Sequence, residues 1–360
     1  MCGAFIKSPP QQAGRTTPVS KETVIASLRK QGLLCSLAVR IEPLGGGVSS
    51  EIYLLDDGVR KLVVKQALPK LRVQDDWMAD ISRSQVEQRF IHYASVLIPQ
   101  NILPVVWAEP ANCLFAMEFL AQDFVTWKQQ LLSGKFETKI AGAVASLLAT
   151  IHRSSWNDPV AKKQFETNEN FYALRVHPYL ITTGERNAPL QEHFETEAKR
   201  LLSTRLALVH GDFSPKNIMV RDERVVLLDH EVAWFGDPAF DLAFLLTHLF
   251  LKSLLFPGDT RCLQISQAVW RRYFQTLGAH HEPALNPRAS RLLLMLMLAR
   301  IDGKSPVEYL VGKEAERQFV RGFVSELLRA GADDFASIHA LWSARLHHNG
   351  NCLNPGASGL

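Results

Sequence analysis

Val209-His210-Gly211-Asp212-Phe213-Ser214-Pro215-Lys216-Asn217 is followed by a short apolar run, by Leu228-Asp229-His230-Glu231, and by Gly236-Asp237-Pro238-Ala239-Phe240-Asp241. An Asp stands five residues before an Asn, and an Asp-x-Glu begins twelve residues after that Asn. Phosphoryl transfer from Mg-ATP needs one carboxylate to position a hydroxyl and accept its proton. It also needs hard oxygen ligands to hold Mg²⁺ on the nucleotide phosphates. The spacing supplies both: Asp212 as the base, and Asn217, Asp229 and Glu231 as oxygen ligands. Each residue alone has a plainer reading. Gly-Asp and Asn are common turn residues, and acids at a strand end are usually solvated. The joint arrangement decides between them. Val225-Val226-Leu227-Leu228 has strand character, so base, amide and acids are expected on two sides of one short hairpin, where their side chains converge.

Working outward, Lys65 ends the apolar run Leu62-Val63-Val64. A lysine in such a strand needs a partner for its ammonium. Glu87, on the next expected helix, is the candidate, and the pair would hold Lys65 against nucleotide phosphates. The plainer reading is a lysine snorkelling from a strand end. Gly45-Gly46-Gly47, with Ser49 after it, lies between two strand-like runs. That placement excludes a phosphate loop of the strand-to-helix type, which uses a helix N-terminus. A glycine hairpin can instead cover phosphates with backbone N–H groups, or be no more than a flexible turn. Glu118 and Phe119 fall in the expected link between two lobes, where backbone groups can face an adenine edge.

The rest of the pattern fixes the organisation. Residues 1–19 read as a loose tail. Ser20 caps an expected helix carrying Val24, Ile25 and Leu28 that stops at Gly32. Strands are expected over 38–44, 51–55 and 61–66, with an Asp57-Gly58 turn between the last two. Ser82 to Leu97 reads as a helix with Val86, Phe90, Tyr93 and Leu97 on one face, and strands follow at 105–107 and 113–119. From Val125 the pattern is mainly helical, with Thr138 to Arg153 clearly amphipathic. The expected fold is α+β: a small antiparallel β-rich lobe over 20–120, a larger helical lobe over 121–348, and a tail over 349–360.

Composition excludes several classes. The 360 residues are 47% apolar and 21% charged, and the net charge of +4 is mild. This suits anionic ligands, but no Lys/Arg block points to nucleic acid. The longest apolar run, 239–256, contains Asp241, His248 and Lys252, so a buried core helix is expected rather than a membrane span. No signal peptide is visible at the start. The five cysteines are scattered without a C-x-x-C pair, which fits a reducing cytosol and a cytoplasmic location. Oligomeric state is open, a homodimer being one option.

Other polar residues have expected roles. His210 and Asp241 brace the catalytic loop, and His152 and His230 read as structural. Arg300-Ile301-Asp302-Gly303-Lys304-Ser305 closes the strongly apolar run 292–299. Arg300 is either a substrate contact or an ordinary cationic helix end favoured by the helix dipole. Trp234 is a second candidate substrate contact.

With these residues in view, the chain resembles the aminoglycoside phosphotransferase/choline kinase superfamily, small-molecule relatives of protein kinases, over roughly residues 35–330. The resemblance implies a protein-kinase-like two-lobe fold and ATP and Mg²⁺ as cofactors. On it His210-Gly211-Asp212-x4-Asn217 is the catalytic loop, Asp212 the base, and Asn217 and Asp229 the Mg²⁺ ligands. Glu231 becomes a candidate for a second ion. Lys216 stands where tyrosine kinases keep an arginine and is a candidate γ-phosphate contact. Within the superfamily, Val64-Lys65-Gln66-Ala67-Leu68-Pro69, followed by Arg72 and Trp77, is most similar to the 5-methylthioribose kinases, as is the Glu at position 231. Those kinases pair two arginines before an Ile-x-Gly, and Ala299 here replaces the first.

The resemblance therefore implies a small hydroxylated metabolite as acceptor, methylthioribose-like in one reading, an aminoglycoside or choline-like amino alcohol in another. Residues 251–350 carry 13 Lys/Arg and 9 Asp/Glu, a net of +4, which disfavours a polycationic substrate. A non-catalytic nucleotide-binding scaffold is the reading from a different class. It is disfavoured because base, metal ligands and lysine are all present.

Overall fold

The structure is a computed structural model that describes residues 19–36, 38–45, 49–70, 78–280 and 282–353. Gly46, Gly47, Arg72 and Trp77 lie outside these, as do 1–18 and 354–360. The chain forms two compact units, one comprising residues up to Gln85 together with Val105–Phe119, the other Val86–Pro104 together with Leu120 onward.

The first unit is a five-stranded antiparallel sheet with one covering helix. Helix α1 (Lys21–Lys30) starts where Ser20 accepts the Thr23 N–H, 3.2 Å, at the helix N-cap. Strands β1 (Arg40–Pro43), β2 (Ser50–Asp56), β3 (Lys61–Ala67), β4 (Val105–Glu109) and β5 (Leu114–Glu118) are ordered β1-β2-β3-β5-β4. Asp57 closes the β2–β3 turn by accepting the N–H groups of Val59 and Arg60 at 2.9 and 2.6 Å. Leu62 and Val64 share one sheet face with Leu55 and Leu114, in a core completed by Val24 and Leu28 of α1. Alternation along a strand puts Lys65 on the opposite face, where it is buried.

The second unit is mainly helical. Helix α2 (Arg83–Leu97) belongs to it from Val86 onward. A continuous lobe over 20–120 is thus corrected: residues 86–104 are grouped with the second unit. The reason lies in their contacts. Tyr93 donates to Asp158 Oδ2 at 2.7 Å, and Asn101 exchanges hydrogen bonds of 2.8 Å with Val225 and Leu227. The unit continues through β6 (Val125–Thr126), α3 (Trp127–Leu132), α4 (Thr138–Ser154), α5 (Pro159–Gln164) and α6 (Asn168–Phe171). A π-helical stretch, Tyr172–Ile181, contains Pro178 and leads into α7 (Thr182–Arg186) and α8 (Gln191–Ser203). Four short strands follow: β7 (Ala207–Val209), β8 (Ile218–Arg221), β9 (Arg224–Leu227) and β10 (Trp234–Gly236). The chain closes with α9 (Ala239–Ser253), α10 (Arg261–Leu277), α11 (Leu285–Asp302), α12 (Glu314–Arg329) and α13 (Phe335–Leu353).

Every residue of α9 is buried, including Asp241, His248 and Lys252. It packs against α10 and α11, and α10 packs along α4. The apolar run of the sequence is therefore a central core helix, and no helix among the described residues is long and apolar enough to cross a membrane.

Candidate active site

The site is built on two short pairings. Strand β7 pairs antiparallel with β10, and β8 with β9, the latter with Ile218 opposite Leu227. Asn217 immediately precedes β8, and its carbonyl accepts the Leu228 N–H at 2.9 Å just beyond β9. The hairpin thereby sets Asn217 directly across from the start of the Asp229–Glu231 segment. Asp229 takes a left-handed backbone, φ 63°, which turns the chain out of the strand. Asp is one of the few residues that adopts it readily.

The loop between β7 and β8 is held from below. Asp241, fully buried at the start of α9, accepts the N–H groups of His210 and Gly211 at 2.7 and 2.9 Å. His152 lies 3.3 Å from the same carboxylate and 2.8 Å from the Tyr273 hydroxyl. Gly211 has φ 77°, and a Cβ there would stand 2.5 Å from the Val232 carbonyl. Glycine is required at this point for both reasons.

The histidines define a proton arrangement. His210 Nδ1 accepts the Asp212 N–H at 3.1 Å, so its proton sits on Nε2 and is donated to His230 Nδ1 at 3.0 Å. Burial pushes His210 down in spite of the nearby carboxylates of Asp241, Asp212 and Asp229. His230 in turn stacks on Phe90 of α2, ring centroids 4.5 Å apart.

Asp212 carries its donors on one oxygen. Oδ2 accepts from Asn217 Nδ2 at 2.9 Å and is 3.0 Å from Lys216 Nζ and 3.2 Å from Arg175 Nη2. Burial pushes the carboxyl up, but Lys216 and Arg175 outweigh it and hold it below its ordinary value. Asn217 also donates to the Asp212 carbonyl at 3.0 Å, which leaves its own amide oxygen for another ligand.

Arg175 is the residue that sequence reading missed. It lies in the π-helical stretch, is buried, and donates through Nε to the Gly211 carbonyl as well as pairing with Asp212. No motif marks it. Its only signal is an arginine within an apolar run, Ala173-Leu174-Arg175-Val176, whose wider-than-α winding is not visible in sequence. Arg83 was missed likewise. Fully buried in the first unit, it donates to the carbonyls of Ser49, Leu68 and Asp80 and anchors the end of β2.

The remaining sequence candidates fall in different places. Glu87, Asp229 and Glu231 each bring a carboxylate oxygen within 4.8 Å of the others. Hard oxygens in such a group, with the Asn217 amide oxygen, suit a divalent ion of the Mg²⁺ type. Glu87 thus sits with the acids of the second unit, a neighbourhood that its expected role as a lysine partner did not foresee. Lys65 is on β3 between Ile52 and Phe115. Gly45 follows β1 and Ser49 precedes β2, and the Ser49 carbonyl also accepts the Leu68 N–H at 2.9 Å. The Phe119 N–H is taken by the Lys61 carbonyl at 3.2 Å, so it is not a free donor for a base edge. The Glu118 side chain pairs with Arg60 at 2.8 Å on the surface.

Two substrate candidates separate. Trp234 is corrected to a core residue. It is fully buried, stacks on Phe171 with centroids 4.1 Å apart, and donates its Nε1–H to Asn168 at 2.8 Å. Arg300 remains near the site: its Nη1 donates to the Tyr179 hydroxyl at 3.0 Å, and Arg175 lies over the same ring at 5.6 Å.

A family model described as the phosphotransferase enzyme family matches residues 40–273. A methylthioribose kinase of Yersinia enterocolitica is 25% identical over 249 residues, 61% of this chain and 62% of that protein. One from Pectobacterium atrosepticum is 27% identical over 277 residues, 65% and 68% of the two chains. The chain thus spans less than two thirds of the length of the first of these relatives. Among solved structures, a choline kinase from Cryptosporidium parvum superposes with a TM-score of 0.55 at 12% identity, covering 87% of this chain and 97% of that one; the likeness is one of fold.

Proposed function

We propose that this chain, which belongs to the phosphotransferase enzyme family, transfers the terminal phosphoryl group of Mg-ATP to a hydroxyl of a small metabolite. The observation that carries the reading is the convergence of Asp212, Asn217 and Asp229 from the two sides of the β8–β9 hairpin. Three donors occupy Oδ2 of Asp212, so Oδ1 is the oxygen that meets the acceptor hydroxyl. As the acceptor oxygen bonds to the γ-phosphorus, the bond to the ADP oxygen breaks and the hydroxyl proton passes to Oδ1. Asp212 orients the hydroxyl, because a carboxylate held below its ordinary value is a weak base. Lys216, 3.0 Å from Asp212 Oδ2, would neutralise charge on the moving group.

Asn217 and Asp229 would hold Mg²⁺, with Glu231 beside them. The ion, when bound, neutralises phosphate charge. Lys65, Gly45 and Ser49 of the first unit are proposed as nucleotide contacts. A sugar-like acceptor of the methylthioribose type is supported by the two kinase relatives. A polycationic aminoglycoside or a cationic amino alcohol is disfavoured by Arg175, Lys216 and Arg300 around Asp212 and Tyr179. A scaffold without catalysis is disfavoured by the complete set of base, amide and acid. Cys35, Cys113 and Cys262 are free thiols, which supports the cytoplasmic reading.

The test is ATP consumption by the purified chain across sugars including methylthioribose, with Asp212→Ala as control. Acceptor-dependent turnover lost in the variant supports the reading. Turnover that survives the substitution removes Asp212 from its role.

A further inference from the structure

A wall of positive charge runs from Asp212 into the helical unit, and its far end lacks a counter-charge. Lys216 and Arg175 lie 3.0 and 3.2 Å from Asp212 Oδ2. Arg175 and Arg300 both lie 5.6 Å from the centre of the Tyr179 ring, and Arg300 reaches the Tyr179 hydroxyl at 3.0 Å. Tyr179 packs edge-on against Phe244, and Phe244 against His248, one helical turn before Lys252 on α9.

Lys252 is 1% exposed, and its ammonium sits 4.4 Å from the centre of the Tyr309 ring. Among the described residues it makes no ion pair or hydrogen bond. Two further polar atoms beside it are buried without hydrogen-bond partners, the Tyr309 hydroxyl and Arg300 Nε. His248 lies in the combined field of Lys252, Arg300, Lys216 and Lys128. Glu308, the carboxylate that acts on Lys252, is committed to Lys128.

A buried lysine without an anionic partner is costly, because burial removes its hydration and a ring face returns only part of it. Burial, with Lys128 and Arg300 close by, pushes Lys252 down to about 7. An anion in contact would restore the charged form and satisfy the orphaned donors at once.

On the phosphotransferase reading above, we propose that the acceptor is itself an anion, a hydroxylated compound bearing a carboxylate or phosphate group that Lys252 and Arg300 receive while Asp212 meets its hydroxyl. The acceptor is then a sugar-like hydroxy compound that carries a negative charge where methylthioribose is neutral and aminoglycosides and amino alcohols are cationic. Lys252 becomes the residue that sets specificity.

The experiment measures ATP consumption at saturating Mg-ATP with three acceptors of one skeleton: a pentose, its 5-phosphate and the matching pentonate. At least one anion is expected to exceed the neutral sugar in kcat/KM by on the order of 30-fold or more, the scale for a desolvated charge pair. Whichever anion leads identifies the group. Lys252→Met should collapse that ratio mainly through KM, and Lys252→Arg should restore part of it. A neutral pentose used as well as both anions overturns the proposal, as does a ratio that Lys252→Met leaves intact. Calorimetry of Mg-ATP separates the levels: turnover of neutral sugars with normal nucleotide binding removes only the anionic acceptor, whereas absent nucleotide binding removes the phosphotransferase reading and this inference with it.

Discussion

Arg175 Nη2 lies 3.2 Å from Asp212 Oδ2, a buried ion pair that joins the π-helical stretch to the loop between β7 and β8. The same guanidinium donates to the Gly211 carbonyl, so one residue fixes both the backbone and the carboxylate of the loop. A planar fork is suited to this, and an ammonium is not. Arg175→Lys is therefore expected to lower kcat by roughly 10- to 100-fold, the scale of lost positioning, with Mg-ATP affinity unchanged by calorimetry. Equal losses in kcat and in nucleotide affinity would assign Arg175 a general folding role instead.

Asp229 leaves β9 with a left-handed backbone, and its carboxylate lies with those of Glu87 and Glu231. Asp229→Ala is expected to abolish the Mg²⁺-dependent part of nucleotide binding, and Asp229→Asn to weaken it. Titrating ATP with and without Mg²⁺ checks this. An unchanged Mg²⁺ increment in the Ala variant would take Asp229 out of the metal site.

Buried histidines make stability pH-dependent. Burial, then the cations Lys252, Arg300, Lys216 and Lys128, push His248 well below its ordinary value, and burial lowers His210. Both stay neutral in the fold where the unfolded chain, with a pKa near about 6.5, takes up protons. The unfolded state then binds more protons, so the contribution of these two rings to stability is complete above about pH 6.5 and declines as pH falls further, by at most ~1.4 kcal/mol per unit for each group. Urea unfolding at neutral pH and about one unit below pH 6.5 should show the decline, and His248→Gln should reduce it. A flat profile over that interval would contradict the burial of neutral rings.

Gly211 combines φ 77° with a Cβ position 2.5 Å from the Val232 carbonyl. Gly211→Ala should cost at least about 1–3 kcal/mol, the scale of one strained backbone position, and activity should fall further than stability because the loop carrying Asp212 must move. An Ala variant with parental melting and turnover would show that the loop tolerates the side chain.

The sequence pattern made much of this legible. Ser20 as a cap, the Asp57 turn, the strand–turn–strand around Lys65 and the buried run of α9 all follow from local chemistry that the structure repeats. Asp212, Asn217 and Asp229 were legible because a two-stranded hairpin makes sequence spacing into spatial proximity. Arg175 was not, since its contacts depend on the winding of Tyr172–Ile181 and on a partner brought in by tertiary packing. Trp234 misled because its neighbours in sequence are candidate site residues, whereas β10 directs its ring onto Phe171 in the core. Glu87 was read from a helix position alone. Its placement with Asp229 and Glu231 requires knowing that residues 86–104 fold with the second unit.

The central claim is that Asp212, with Oδ2 held by three donors, positions an acceptor hydroxyl for phosphoryl transfer. The most direct measurement is single-turnover transfer from Mg-ATP to acceptor by Asp212→Asn beside the parent chain, with ATP binding followed by calorimetry. The account predicts nucleotide affinity within about twofold and transfer slower by roughly 100- to 10,000-fold, the range for a positioned acid–base group. Transfer at the parental rate in the Asn variant would contradict it.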